Sequence, residues 1–298
     1  MAKQFRNFFV RGLVVAIVAL FGFLFYAVFR PAPPPPPLPN PNGYDDFIAA
    51  GQMSLNSSVD TRDLKQDELH NLVSTNAAAL KLLRLGLSRE CRVPLSYSVT
   101  NYANHVQSDL PSFKRLALSL AAEGKLAEME NRQADAAKSY LDCIRLGRES
   151  VRGGLILDKL VGIACEAIGA NALQRLIREL GTNECRDAIQ QLEMLEANSE
   201  SPEETLKNEK SWARRTFGWR GTYVGLITWK SIRQIEQSAV GKMKTRERAT
   251  RVLMLDLAAR AYELEKGGRP KTIADLVPDY LETIPLDPFT GTNIVYQP

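Results

Sequence analysis

Chemistry in this chain would have to run through few groups. Only two histidines are present, His70 and His105, with four cysteines, Cys91, Cys143, Cys165 and Cys185. The cysteines lie 52, 22 and 20 residues apart, which is no zinc spacing, and neither histidine completes one. A hydrolase would need a nucleophile held by a base, or paired carboxylates in a cleft. The chain has no G-x-S-x-G and no H-E-x-x-H, and Val240-Gly241-Lys242-Met243 lacks the rest of a phosphate-binding loop. His70 follows Asp67 and Glu68 on a helical face that reads as solvated. The richer set is Tyr97, Tyr102 and His105, in a stretch from Arg89 to Asn104 and just beyond that lacks helical period, with Tyr140 further on. Loop residues of these types commonly line binding surfaces. They are expected to meet a protein partner in a groove between helical hairpins. No catalytic residue, cofactor or metal ligand is assigned, and the chain is not expected to be an enzyme. An exported enzyme with carboxylate-based chemistry stands as an alternative.

The elements that must position these residues start with Gly12–Phe29, GLVVAIVALFGFLFYAVF, eighteen residues without a charge. At about 1.5 Å rise per residue they reach about 27 Å, close to the hydrocarbon thickness of a bilayer. Lys3, Arg6 and Arg11 precede the run and only Arg30 follows closely. The positive-inside rule then puts the N-terminus in the cytoplasm and residues 31–298 on the exported, periplasmic side of the cytoplasmic membrane. A cleaved signal peptide is the rival, but the run is long for one and bulky Phe29 stands where a small residue is wanted. The segment Pro31 to Pro41, PAPPPPPLPNP, cannot form a helix. It reads as a polyproline II stalk of roughly 34 Å.

The expected organisation is a cytoplasmic flank and anchor over 1–30, a proline-rich spacer over 31–43, an exported α-helical domain over 44–200, and a basic, aromatic helical region with a small tail over 201–298. The fold class is mainly α, with an α+β tail. Leucines and alanines at helical spacing follow Asp63, a candidate cap, and end near Gly86. Helices are expected over 116–130 and 136–148, joined by a polar turn at Asn131–Asp135. The most hydrophobic segment beyond the anchor, 153–180, is interrupted by Asp158, Lys159 and Glu166 and reads as a core helix. Its Gly162, Cys165 and Gly169 share a face that permits close helix contact. The cysteines in helical patterns serve as small buried thiols, although export would permit disulfides. Between Thr205 and Arg251 twelve lysines and arginines face three glutamates, interleaved with Trp212, Phe217, Trp219, Tyr223 and Trp229. The net charge of +4 is too small to imply nucleic acid. A solvated helix pair with inward aromatics, broken at TFGWRGTYVG, is the plain reading, and anionic headgroups are the sharper one.

Small residues at Gly124, Ala127, Ala136 and Cys143, with Tyr140 as a large wedge, resemble one tetratricopeptide-type hairpin. The end of the chain, GGRPKTIADLVPDYLETIPLDPFTGTNIVY, resembles the end of type II secretion major pseudopilins through Tyr262, Gly267, Pro270, Leu276, Tyr280, Pro285, Asp287, Pro288, Phe289 and Gly291. No prepilin cleavage motif precedes the anchor, so the tail reads as a structural module. That resemblance implies a calcium site, for which Asp287, Thr290, Asn293 and Asp279 offer oxygens; simple turn chemistry at Asp287-Pro288 and Gly291 is the other reading. Nearly full length, through NGYDDFIAAG, CRVPLSY, RGGLILDKLVGIACEAIG and the tail, the chain resembles a group of membrane-anchored proteins of planctomycete-type bacteria. That resemblance implies an architecture and no activity. The function expected is a single-pass scaffold or protein-interaction module of the cell envelope, bound to the lipid bilayer through Gly12–Phe29. An accessory part of a secretion or pilus-like assembly is the other non-catalytic alternative.

Overall fold

A computed structural model describes residues 34–55 and 64–295, with Leu13, Val15, 17–20, Gly22, Phe23 and Tyr26; side chains at 219 and 222–227 are not described. Half of the expected anchor, and the candidate cap Asp63, therefore lie outside the described residues. Those of the apolar run that are described, among them Leu13, Ile17, Leu20 and Phe23, are helical and exposed. No helix among the described residues is long and apolar enough to cross a membrane.

Mainly α holds. Eight α-helices are named here in chain order: α1 (Gly43–Met53), α2 (Gln66–Leu87), α3 (Val99–Met129), α4 (Gln133–Glu149), α5 (Ile156–Leu176), α6 (Thr182–Ala197), α7 (Pro202–Ile227) and α8 (Trp229–Lys266). Local chemistry accounts for several of their ends. The Asn42 side chain accepts the Tyr44 N–H at 3.2 Å and caps α1. Glu68 reaches back to the Lys65 N–H at 2.8 Å, so α2 starts after Lys65. Asn131, with φ 58°, makes the turn between α3 and α4, and Gly267, with φ 73°, ends α8. Within α7, Gly218 has φ 57° and ψ −143°, a kink inside the expected TFGWRGTYVG break.

The period-free loop expected over 89–104 is shorter in the fold. Ser98 accepts the Asn101 N–H at 3.4 Å, and α3 begins at Val99, seventeen residues before the expected Leu116. The helix runs through Pro111, which removes one backbone donor. Leu110, Phe113, Leu116 and Leu120 on both sides of the proline are buried in one core, which offsets that loss.

Neighbouring helices pack as hairpins, α1 on α2, α3 on α4 and α4 on α5, with α6 against α8. One core joins α1, α2 and the Leu110–Leu120 stretch of α3 to Cys143, Leu146 and Cys165. A second joins the end of α3 to α4, α5, α6, α8 and the tail, and a small third holds Leu69, Ala122 and Leu126. Residues on both sides of position 200 thus share a core. Gly162 carries the contact of α5 with α4: a Cβ there would stand 2.4 Å from the Gly147 carbonyl oxygen. All four cysteines are buried free thiols, and burial pushes Cys91 and Cys165 up to about 12.

Two expectations need correction. The tail forms no strand among the described residues. It has a 3₁₀ turn at Ile273–Leu276 and one antiparallel bridge between Leu286 and Asn293. Pro285 and Pro288 remove the donors that a longer ladder would need, and Leu276, Tyr280, Leu281 and Ile294 are held by the helical core instead. The spacer does not stand clear of the domain as a stalk. From Pro34 to Leu38 it flanks a groove beside the 92–97 loop and α7. Its end is clipped to that loop, where Asn42 donates to the Arg92 carbonyl at 2.8 Å and accepts the Arg92 N–H at 3.0 Å.

Candidate functional site

Packing of α1, the 93–96 loop and the first turns of α3 leaves a cleft of about 320 Å³. Tyr44, Tyr102, His105, Ser108 and Asp109 face into it. His105 is its chemical centre. The ring Nε2 lies 2.7 Å from Asp158 Oδ1, and Nδ1 lies 2.9 Å from Asp109 Oδ2 and 3.2 Å from the Tyr44 hydroxyl. Asp158 comes from α5, is fully buried, and also accepts the Leu155 N–H at 2.6 Å. One imidazole thus joins α1, α3 and α5.

Burial alone lowers the His105 pKa, but the hydrogen bonds and charges of Asp158 and then Asp109 outweigh it and raise the pKa above its ordinary value. A carboxylate stands at each ring nitrogen. This geometry fastens α1, α3 and α5 to one another at the cleft.

An aromatic row extends from the cleft. The Tyr102 ring lies 5.7 Å from His105 and 5.1 Å from Trp212 between centroids. Trp212 Nε1 donates to the Ser96 carbonyl at 2.8 Å, tying α7 to the loop. Tyr97 sits across the loop, under the Arg215 guanidinium at 5.0 Å, and lines the larger groove. The structure therefore gathers Tyr97, Tyr102 and His105 around one loop and leaves Tyr140 elsewhere. Tyr140 is 1% exposed between α3 and α4, where its hydroxyl donates to Glu128 at 2.6 Å and its ring fills the space over Gly124. It wedges the hairpin and lines no surface. His70 is exposed on α2.

Three members of the cluster escaped sequence reasoning. Asp109 was legible as the i+4 partner of His105 on a helix, had the helix been drawn through Pro111. Asp158 left a weaker signal, a carboxylate inside the most apolar segment of the domain. Tyr44 left none, because it stands 61 residues from its partner.

In the tail, the two oxygens of Asp287 are engaged by the chain itself. Oδ1 accepts the Phe289 N–H at 2.8 Å and Oδ2 pairs with Arg248 Nε at 3.0 Å. Gly291, with φ 72°, closes the turn by donating to the Asp287 carbonyl at 2.8 Å. Among the described residues no group of three His, Cys, Asp or Glu side chains is placed to hold a metal. No protein family, curated protein or solved structure matches the chain.

Proposed function

We propose that the protein is a single-pass scaffold of the cell envelope, anchored by Gly12–Phe29 with residues 31–298 exported, which binds a protein partner at the Tyr44–Tyr102–His105 cleft. The observation that carries this reading is the double engagement of His105, which leaves a shaped, charged, aromatic-walled cleft whose histidine is tied at both ring nitrogens. Ser108, Asn101 and Asn104 are exposed at its rim and supply hydrogen-bonding groups to an incoming chain. The exposed apolar residues of the N-terminal run support the anchor. The α3–α4 hairpin, with Gly124 under Tyr140, supports a tetratricopeptide-like unit within the domain.

A photo-reactive residue replacing Ser108 in the full-length, membrane-inserted protein tests the reading. A discrete adduct that weakens in the Tyr102→Ala background supports a partner at the cleft. The same probe replacing Phe289, which is exposed in the tail, tests the secretion-assembly alternative favoured by the ordered Asp287–Gly291 turn. Adducts with secretion components from the Phe289 probe, and none from the Ser108 probe, would transfer the role to the tail.

A further inference from the structure

The hairpin of α7 and α8 extends beyond the core. No residue from Thr228 to Ser238 is buried, and Ala239 is the first that is. Three large apolar side chains stand on that overhang at helical spacing: Trp229, Ile232 and Ile235, which are 50%, 40% and 60% exposed. Phe217, beside the Gly218 kink, is exposed as well. Residues 207–242 carry eight lysines and arginines against Glu209 and Glu236, more positive charge than the whole chain nets. Both glutamates are engaged. Glu209 accepts the Ile156 N–H at 3.0 Å, and Glu236 lies 3.6 Å from Lys210. The Lys230 ammonium stands 5.9 Å over the Trp229 ring. An apolar row edged by an excess of cations is the surface chemistry of an interfacial helix.

The course of the spacer says what this surface meets. Trp229, Ile232 and Ile235 line a groove of about 1410 Å³ that Pro34, Pro35, Pro36 and Leu38 also line. Four residues separate Pro34 from Phe29, where the apolar run ends, and the five Cα-to-Cα steps between them reach at most about 17 Å. The headgroup zone on each side of a bilayer occupies roughly 5–8 Å of that. The groove mouth is thereby tethered within reach of lipid headgroups. The charge does not oppose export, because cations so far along the chain lie outside the range over which positive charge sets topology.

We propose that the tip of the α7–α8 hairpin is a second membrane contact, which lays Trp229, Ile232 and Ile235 into an anionic bilayer surface with Lys230 and Arg233 on its headgroups. The domain then lies against the membrane, with the Val93–Leu95 loop shared between this groove and the His105 cleft. This proposal rests on reading Gly12–Phe29 as the anchor.

The test is a nitroxide label on Ile235→Cys in the full-length protein, reconstituted into vesicles of phosphatidylcholine alone or of equal parts phosphatidylcholine and phosphatidylglycerol. In the anionic vesicles the label is expected to become several-fold more accessible to oxygen than to a water-soluble nickel chelate. High salt, or the pair Lys230→Glu with Arg233→Glu, is expected to reverse that preference. A label equally open to the chelate in both vesicles overturns the proposal. So does a label shielded from oxygen and chelate alike in both, which would mean that protein covers it: the proline segment or a second copy. Alkaline carbonate washing separates the two readings. A chain that washes out removes the anchor and this proposal together, whereas a retained chain with an open label removes this proposal alone.

Discussion

The imidazole of His105 has both nitrogens committed to carboxylates, and its raised pKa makes stability depend on pH with a definite sign. In the unfolded chain a histidine titrates near 6.5. Below that pH the ring is charged in both states, and the clamp contributes in full. As pH rises through the higher folded pKa the native ring loses its proton, and this contribution is lost. The urea midpoint of the full-length protein is therefore expected to fall from pH 6 upward to mildly alkaline pH. In His105→Gln the same region is expected to be flatter. An unchanged slope in the variant would mean that His105 does not set the dependence. The buried position of Asp158 matters here, because solvent screens that pair far less than an exposed one.

Helix contact in this fold is decided by a few glycines. Alanine at a free helical glycine position stabilises by roughly 0.5–1 kcal/mol. At Gly162 the added Cβ meets the Gly147 carbonyl, a backbone atom that cannot rotate aside. Overpacking of that kind costs about 1–3 kcal/mol, so Gly162→Ala is expected to lower stability. Gly241, in the middle of α8, has nothing within 4 Å of the point where a Cβ would stand. Gly241→Ala is expected to raise stability by about 0.5–1 kcal/mol. Chemical denaturation of the two variants side by side checks both signs. The close face at Gly162, Cys165 and Gly169 was legible because small residues recur at helical spacing. The opposite case is α3: its first turns were hidden because the stretch through Asn104 shows no helical period in sequence.

At the scale of the whole molecule, a buried charge network holds α4, α5, α6 and α8 together. Arg148 donates from Nε to Glu166 at 3.0 Å and from Nη2 to Glu196 and to Thr250, each at 3.2 Å. Arg246 and Arg251 approach the same carboxylates. Removing one partner strands a buried charge, so Arg148→Met is expected to destabilise by about 3–5 kcal/mol. Adding Glu166→Leu is expected to recover most of that loss, measured as a double-mutant cycle. The network explains why 201–298 does not stand apart from the preceding helices, since Thr250 closes it from α8 across 102 residues of chain.

The amino-acid sequence by itself determined what neighbours along the chain can settle. The turn at Asn131, the break at Gly218 and the stop at Gly267 follow from residues a few positions apart, through caps, period and permissive backbone. The helical class and the buried cysteines follow in the same way. Tertiary structure alone decided which carboxylate meets His105, that α3 continues through Pro111, and that the proline spacer lies along a groove. Each of these turns on contacts between segments tens of residues apart, and no local window contains their free energy.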